Sequence, residues 1–87
     1  MRIKITDHQV LYGPEGTIRV KLFTGTRHAG DITFEDQPQR RFEFHPETRF
    51  AALRFDNSQR AEMLELLRTR PIINIESDGP ELTFEGR

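Results

Sequence analysis

The segment Leu53 to Pro71, LRFDNSQRAEMLELLRTRP, is where the hydrophobic period of this chain lengthens from two residues to about 3.6. On either side of it apolar residues alternate. Such a chain folds as short strands around one amphipathic helix, an α+β architecture. Within the helix Met63, Leu64, Leu66 and Leu67 share one arc, and Glu62, Glu65, Arg68 and Thr69 lie opposite. Asn57 or Ser58 is the expected cap and Pro71 forbids continuation, so the predicted helix spans about 58–69. Arg68 and Arg70 suit the negative end of its dipole. Arg60 falls inside the apolar arc, where its guanidinium needs a partner or a route to water.

The rest of the chain predicts strands. Ile3 and Ile5 alternate with polar residues, and Val10 to Tyr12 starts a second strand. Gly13-Pro14-Glu15-Gly16 carries turn chemistry. Thr17–Thr24 then alternates cleanly, with Ile18, Val20 and Leu22 inward and Arg19, Lys21 and Phe23 outward. Gly25 to Gly30, GTRHAG, is expected to form a loop before the strand Asp31–Glu35. After Asp36-Gln37-Pro38-Gln39, the strand Arg40–His45 points Phe42 and Phe44 to the core. Phe50–Phe55 is ambiguous, because Phe50 and Ala52 have one parity and Ala51, Leu53 and Phe55 the other. A bulge, or a strand covered on both faces, accounts for that. A last hairpin follows, Ile72–Ser77 and Glu81–Glu85 about an Asp78-Gly79-Pro80 turn, with Leu82 and Phe84 inward. Short connections imply antiparallel neighbours, hence a mostly antiparallel meander forming a small barrel or curled sheet with the helix across its open side.

Eighty-seven residues form one small globular domain, 1–87. The chain has no cysteine, so it offers no disulfide, thiolate ligand or Cys nucleophile. No stretch reaches the roughly 18 apolar residues of a membrane helix, and Met1–Asp7 is not a signal peptide, so the expected setting is cytoplasmic without membrane insertion. The net charge of −1 disfavours bulk nucleic-acid coating. Charge is uneven, though. The first third is basic (Arg2, Lys4, Arg19, Lys21 and Arg27 against Asp7 and Glu15), and the last third is acidic. Neutralisation across strands is the expected consequence.

Strand, Asp-Asn-Ser and helix in LRFDNSQRAEMLELLRTRP resemble the C-terminal part of PilZ domains, especially those attached to bacterial polysaccharide synthases. The resemblance covers about a fifth of the chain. PilZ domains are six-stranded barrels that bind cyclic di-GMP through an RxxxR motif and a D/N-x-S-x-x-G motif. In this chain no two arginines are four apart, and Ala61 stands where the second motif has Gly. The resemblance therefore implies a motif-less accessory or regulatory subunit working through protein contacts, without the nucleotide.

Catalytic chemistry finds little purchase. His8, His28 and His45 each sit in or beside a turn, and none is spaced as in HxH or HxxxH metal sites. Ser58 and Ser77 stand in no nucleophile motif. The expectation is a non-enzyme without cofactor or metal. Its candidate partner contact is the outward trio Arg19, Lys21 and Phe23, or else the GTRHAG loop, with protein binding or self-association as the main reading, dimer included. An anion- or nucleic-acid-binding small β-barrel is the alternative, using Arg27, His28, Arg40, Arg41 and Arg54. In that alternative Glu43, between Phe42 and Phe44, repels phosphate.

Overall fold

A computed structural model describes residues 2–69, 72–76 and 81–85. Eight strands and one helix follow in the order β1 (Arg2–Ile5), β2 (Asp7–Tyr12), β3 (Ile18–Thr24), β4 (Arg27–Glu35), β5 (Phe42–His45), β6 (Phe50–Asp56), α1 (Arg60–Thr69), β7 (Ile72–Glu76) and β8 (Glu81–Glu85). They form a three-stranded sheet, β1-β7-β8, and a five-stranded sheet, β2-β3-β4-β6-β5. The α+β, antiparallel-rich class holds, but the expected barrel does not form. The end strands β2 and β5 of the larger sheet do not pair with each other, and the chain instead turns a corner at Thr6 from one sheet into the other.

Side-chain alternation puts Ile3 and Ile5 of β1, Val20 and Leu22 of β3, Ile32 of β4, Ala51 and Leu53 of β6 and Ile75 of β7 into one buried cluster, joined by Met63 and Leu67 of α1. Val10, Phe34, Phe42, Phe44, Phe55 and Leu64 pack around it, half-buried. The core thus lies between the two sheets and the helix. The outer face of the five-stranded sheet, on the side away from this core, is covered by no described helix.

Two connections differ from the meander. β4 and β6 pair in parallel, Gly30 to Ala51 through Glu35 to Asp56, and β5 lies beyond β6 as an edge. The loop 36–41, with Gln37 at φ 49° and Pro38 buried, carries the chain past β6's place. The β5–β6 turn, with Arg49 at φ 54°, then brings it back. Close parallel approach needs small residues here, since a Cβ on Gly30 would meet the Ala51 carbonyl oxygen. β6 itself is regular, with Ala51 and Leu53 inward and Phe50 and Ala52 half-buried on the outer side. That resolves its mixed parity without a bulge.

GTRHAG is a loop only at Gly25-Thr26. Gly25 takes φ 61°, and from Arg27 onward the segment is strand. The helix cap also shifts by one residue. Asp56, not Asn57 or Ser58, accepts from the Ser58 amide at 2.9 Å, and Gln59 Oε1 accepts from the Asp56 amide at 3.2 Å, a capping box. A single tight turn over Asn57–Gln59 leads into α1 at Arg60. The Arg60 guanidinium donates to the Gly16 carbonyl at 3.2 Å, the partner its place in the apolar arc demands. Arg2 reaches Glu76 at 2.7 Å, joining the basic and acidic thirds across β1 and β7. β7 and β8 form the expected hairpin. The Asp78-Gly79-Pro80 turn, Arg70, Pro71 and the inward placing of Leu82 and Phe84 lie outside the described residues.

Gly30→Ala is expected to destabilise the domain by about 1–3 kcal/mol, because the new methyl must push β6 from β4. Urea unfolding of the two proteins checks it, and an unchanged midpoint would show that the parallel pair tolerates a wider spacing.

Candidate interaction face

Register places Arg19, Lys21 and Phe23 of β3 beside His28, Asp31 and Thr33 of β4, then Phe50, Ala52 and Arg54 of β6, then Glu43 and His45 of β5, all on the side away from the core. His28 owes its position to an irregularity. Leu22 pairs with Gly30 but Phe23 pairs with His28, so Ala29 is an extra residue that reverses the alternation. Ala29 is buried, and the imidazole of His28 is aimed outward.

Asp31 organises one half of this face. Its Oδ1 lies 2.7 Å from His28 Nε2, and its Oδ2 accepts from Arg19 Nη2 at 2.9 Å. Only 17% of its side chain is exposed, so both contacts are partly shielded from water. Glu43 organises the other half. It accepts from Arg54 at 3.0 Å, with Arg40 at 3.8 Å and His45 at 3.9 Å around it. Between these carboxylates runs a line of rings. Phe23 and His28 have centroids 5.5 Å apart, His28 meets Phe50 edge-on at 5.1 Å, and Phe50 meets His45 at 6.4 Å. The line crosses the sheet from β3 to β5.

The trio Arg19, Lys21 and Phe23 does share this face. Arg19 is exposed, whereas Lys21 and Phe23 are half-buried. Lys21, opposite Asp31 in the register, reaches no carboxylate among the described residues. The five anion candidates do not form one cluster. Arg27 donates to the carbonyls of Thr48 and Arg49 at 3.3 and 3.1 Å, and so closes the β5–β6 turn. His28 is engaged by Asp31, and Arg40 and Arg54 by Glu43. Arg41, with Leu53, Arg54, Phe55 and Gln59, lines a hollow of about 180 Å³. Another hollow, about 130 Å³, gathers Arg2, Lys4, Arg27 and Arg49. Among the described residues no three His, Asp or Glu side chains come together as a metal site.

Phe50, His45, Asp31 and Glu43 were not singled out by sequence reasoning as parts of one surface. Phe50 was accessible to it, since Ala51, Leu53 and Phe55 share a parity and leave Phe50 on the other side. The bulge at Ala29 leaves no trace in the residue pattern.

Asp56-Asn57-Ser58, which carries the PilZ resemblance, forms the entry to α1. Its carboxylate is held at a pKa of about 2, down from 3.8, first by the hydrogen bond from the Ser58 side chain and amide and next by the Gln37 amide, with Arg41 adding a weaker attraction. Searches of known protein families, of curated proteins and of solved structures find no match to this chain. No described helix is long and apolar enough to cross a membrane.

A carboxylate whose folded pKa is depressed stabilises the fold above its unfolded pKa and loses that contribution as pH falls through the folded one. Stability is therefore expected to drop between about pH 4 and pH 2 through Asp56, and Asp56→Asn, which keeps a capping oxygen, should flatten that limb. Urea midpoints at several acidic pH values check this, and identical slopes for both proteins would exclude Asp56 as the cause.

Proposed function

We propose that this domain is a non-catalytic protein-interaction module, and that its contact surface is the outer face of the five-stranded sheet centred on Phe23, His28 and Phe50. One observation carries the reading. A sheet face that no described helix covers holds a continuous line of half-buried rings, and of the charges flanking it Arg19 and Arg54 are already neutralised in place. Aromatic area with few desolvated net charges is what the centre of a protein interface requires. Nucleic acid fits this face less well. Asp31 and Glu43 sit among the cations that would meet phosphate, and Arg19, Arg40 and Arg54 are each turned to one of them. The accessory role implied by the PilZ resemblance is of the same kind, since it too works through protein contacts. The hollow of Arg2, Lys4, Arg27 and Arg49 supports the anion-binding alternative, at a place distinct from the ring line.

A photo-crosslinking residue in place of Lys21 should capture a protein, and Phe50→Ser or Phe23→Ser should abolish the product while circular dichroism stays native. Complex formation should change little between about 50 mM and about 500 mM salt, because screening acts weakly on an apolar contact. Recovery of nucleic acid in the crosslinked fraction would overturn the reading.

The double variant Asp31→Asn, Glu43→Gln frees Arg19 and Arg54 and should create salt-sensitive binding of a random oligonucleotide that the parent protein lacks. Fluorescence anisotropy reads it directly. Strong oligonucleotide binding by the parent protein would show that the two carboxylates do not guard this face.

A further inference from the structure

β2 is an edge strand whose outer side no described strand covers. The Gly13 amide donates to the Thr17 carbonyl, and the Thr6 amide joins the ladder at the Phe23 carbonyl. Alternation from those two points turns the amides and carbonyls of Asp7, Gln9 and Leu11 toward β3 and those of His8, Val10 and Tyr12 outward. The side chains of these same three residues, with Ala61, Leu64 and Arg68 of α1, line an open groove of about 420 Å³. Tyr12, 76% exposed, is the one large hydrophobic side chain among the described residues that stands mostly in solvent.

We infer that a second copy of this chain fills that groove, its β2 adding antiparallel to β2 about a two-fold axis through Val10. The strand is complementary to itself in this register. His8 faces Tyr12 of the second copy, Val10 faces Val10, and Tyr12 faces His8, giving about six backbone hydrogen bonds, two for each pair. On the opposite side of the ribbon Gln9 meets Leu11, and Asp7 meets Gly13, so no like charges are opposed. Glu65 and Arg68 on the rim are bonded to each other at 2.6 Å and present no net charge to their copy. The edge also lacks the features that normally blunt one. β2 has six residues with neither Pro nor Lys, while the other edge of the sheet, β5, has four and ends against Pro46. The two five-stranded sheets become one continuous sheet, and the ring-bearing faces stay free on both copies.

Molar mass by light scattering from about 1 to about 200 µM should show a monomer–dimer equilibrium. Val10→Pro removes only an outward amide and leaves the β3 ladder whole, so it should give a monomer. Tyr12→Lys is the second variant, chosen because that side chain already stands in water, and should weaken the dimer at least about tenfold. The chain has no cysteine. A single Val10→Cys should therefore cross-link to itself on mild oxidation, the paired Cα atoms being about 5.5 Å apart, and a Gln39→Cys control should not. A monomer across the whole range, a dimer that survives both substitutions, or amide shifts of Val10 and Tyr12 only on adding an extended peptide of another protein would each overturn the proposal. Phe23→Ser and Phe50→Ser leave this edge untouched, so failure of the ring-face reading and failure of this one are separable.

Discussion

The corner at Thr6 is the constraint on which the rest of this structure depends. One residue separates β1 from β2, yet the two belong to different sheets. Hydrogen bonds hold the bend. The Thr6 amide donates to the Phe23 carbonyl at 2.8 Å, its hydroxyl accepts from the Gly25 amide at 2.8 Å, and the Thr24 hydroxyl donates to the Lys4 carbonyl at 2.8 Å. The β3–β4 turn is thereby held against the bend, and Ile3 and Ile5 are carried over Val20 and Leu22. Without a corner there would be one flat sheet and no enclosed volume for Ile75, Met63 and Leu67 to fill.

Because the core lies to one side of the larger sheet, its other face is released from packing duties. That freedom is visible in its composition, where rings, carboxylates and cations stand next to one another instead of aliphatic side chains. Asp31 is shared between the Arg19 guanidinium and the His28 imidazole, and Glu43 among Arg54, Arg40 and His45, so each serves as a local hub. Shared hubs hold side chains in fewer rotamers than isolated surface ion pairs, and a contact surface with less to order on binding loses less entropy there.

The helix, its stop and most strands were legible in the sequence because they rest on local periodicity. The cap at Asp56 was missed by one residue, since Asp, Asn and Ser all cap well, and Asp56 is singled out by its reciprocal bond with Gln59 and by the Gln37 amide of a distant loop. GTRHAG looked like a loop because its glycines satisfy two separate needs, a left-handed turn at Gly25 and a close strand approach at Gly30. Residue type does not distinguish them. The parallel β4–β6 pair and the open edges are facts of long-range pairing, which short connections obscured. Of the ring face, Phe23 was placed correctly on the outward side, but its neighbours became visible only once the register and the bulge were known.

The ion pair between Arg2 and Glu76 spans 74 residues of chain. Among the described strands β1 pairs with β7 alone, so Ile3 and Ile5 lack their partners Ile75 and Ile73 until β7 is in place. Closing a loop of this length before any reward is collected slows folding, as long-range β pairing does in general. β1 is thus a strand secured late, and its buried residues Ile3 and Ile5 stay open to other apolar surfaces until β7 docks.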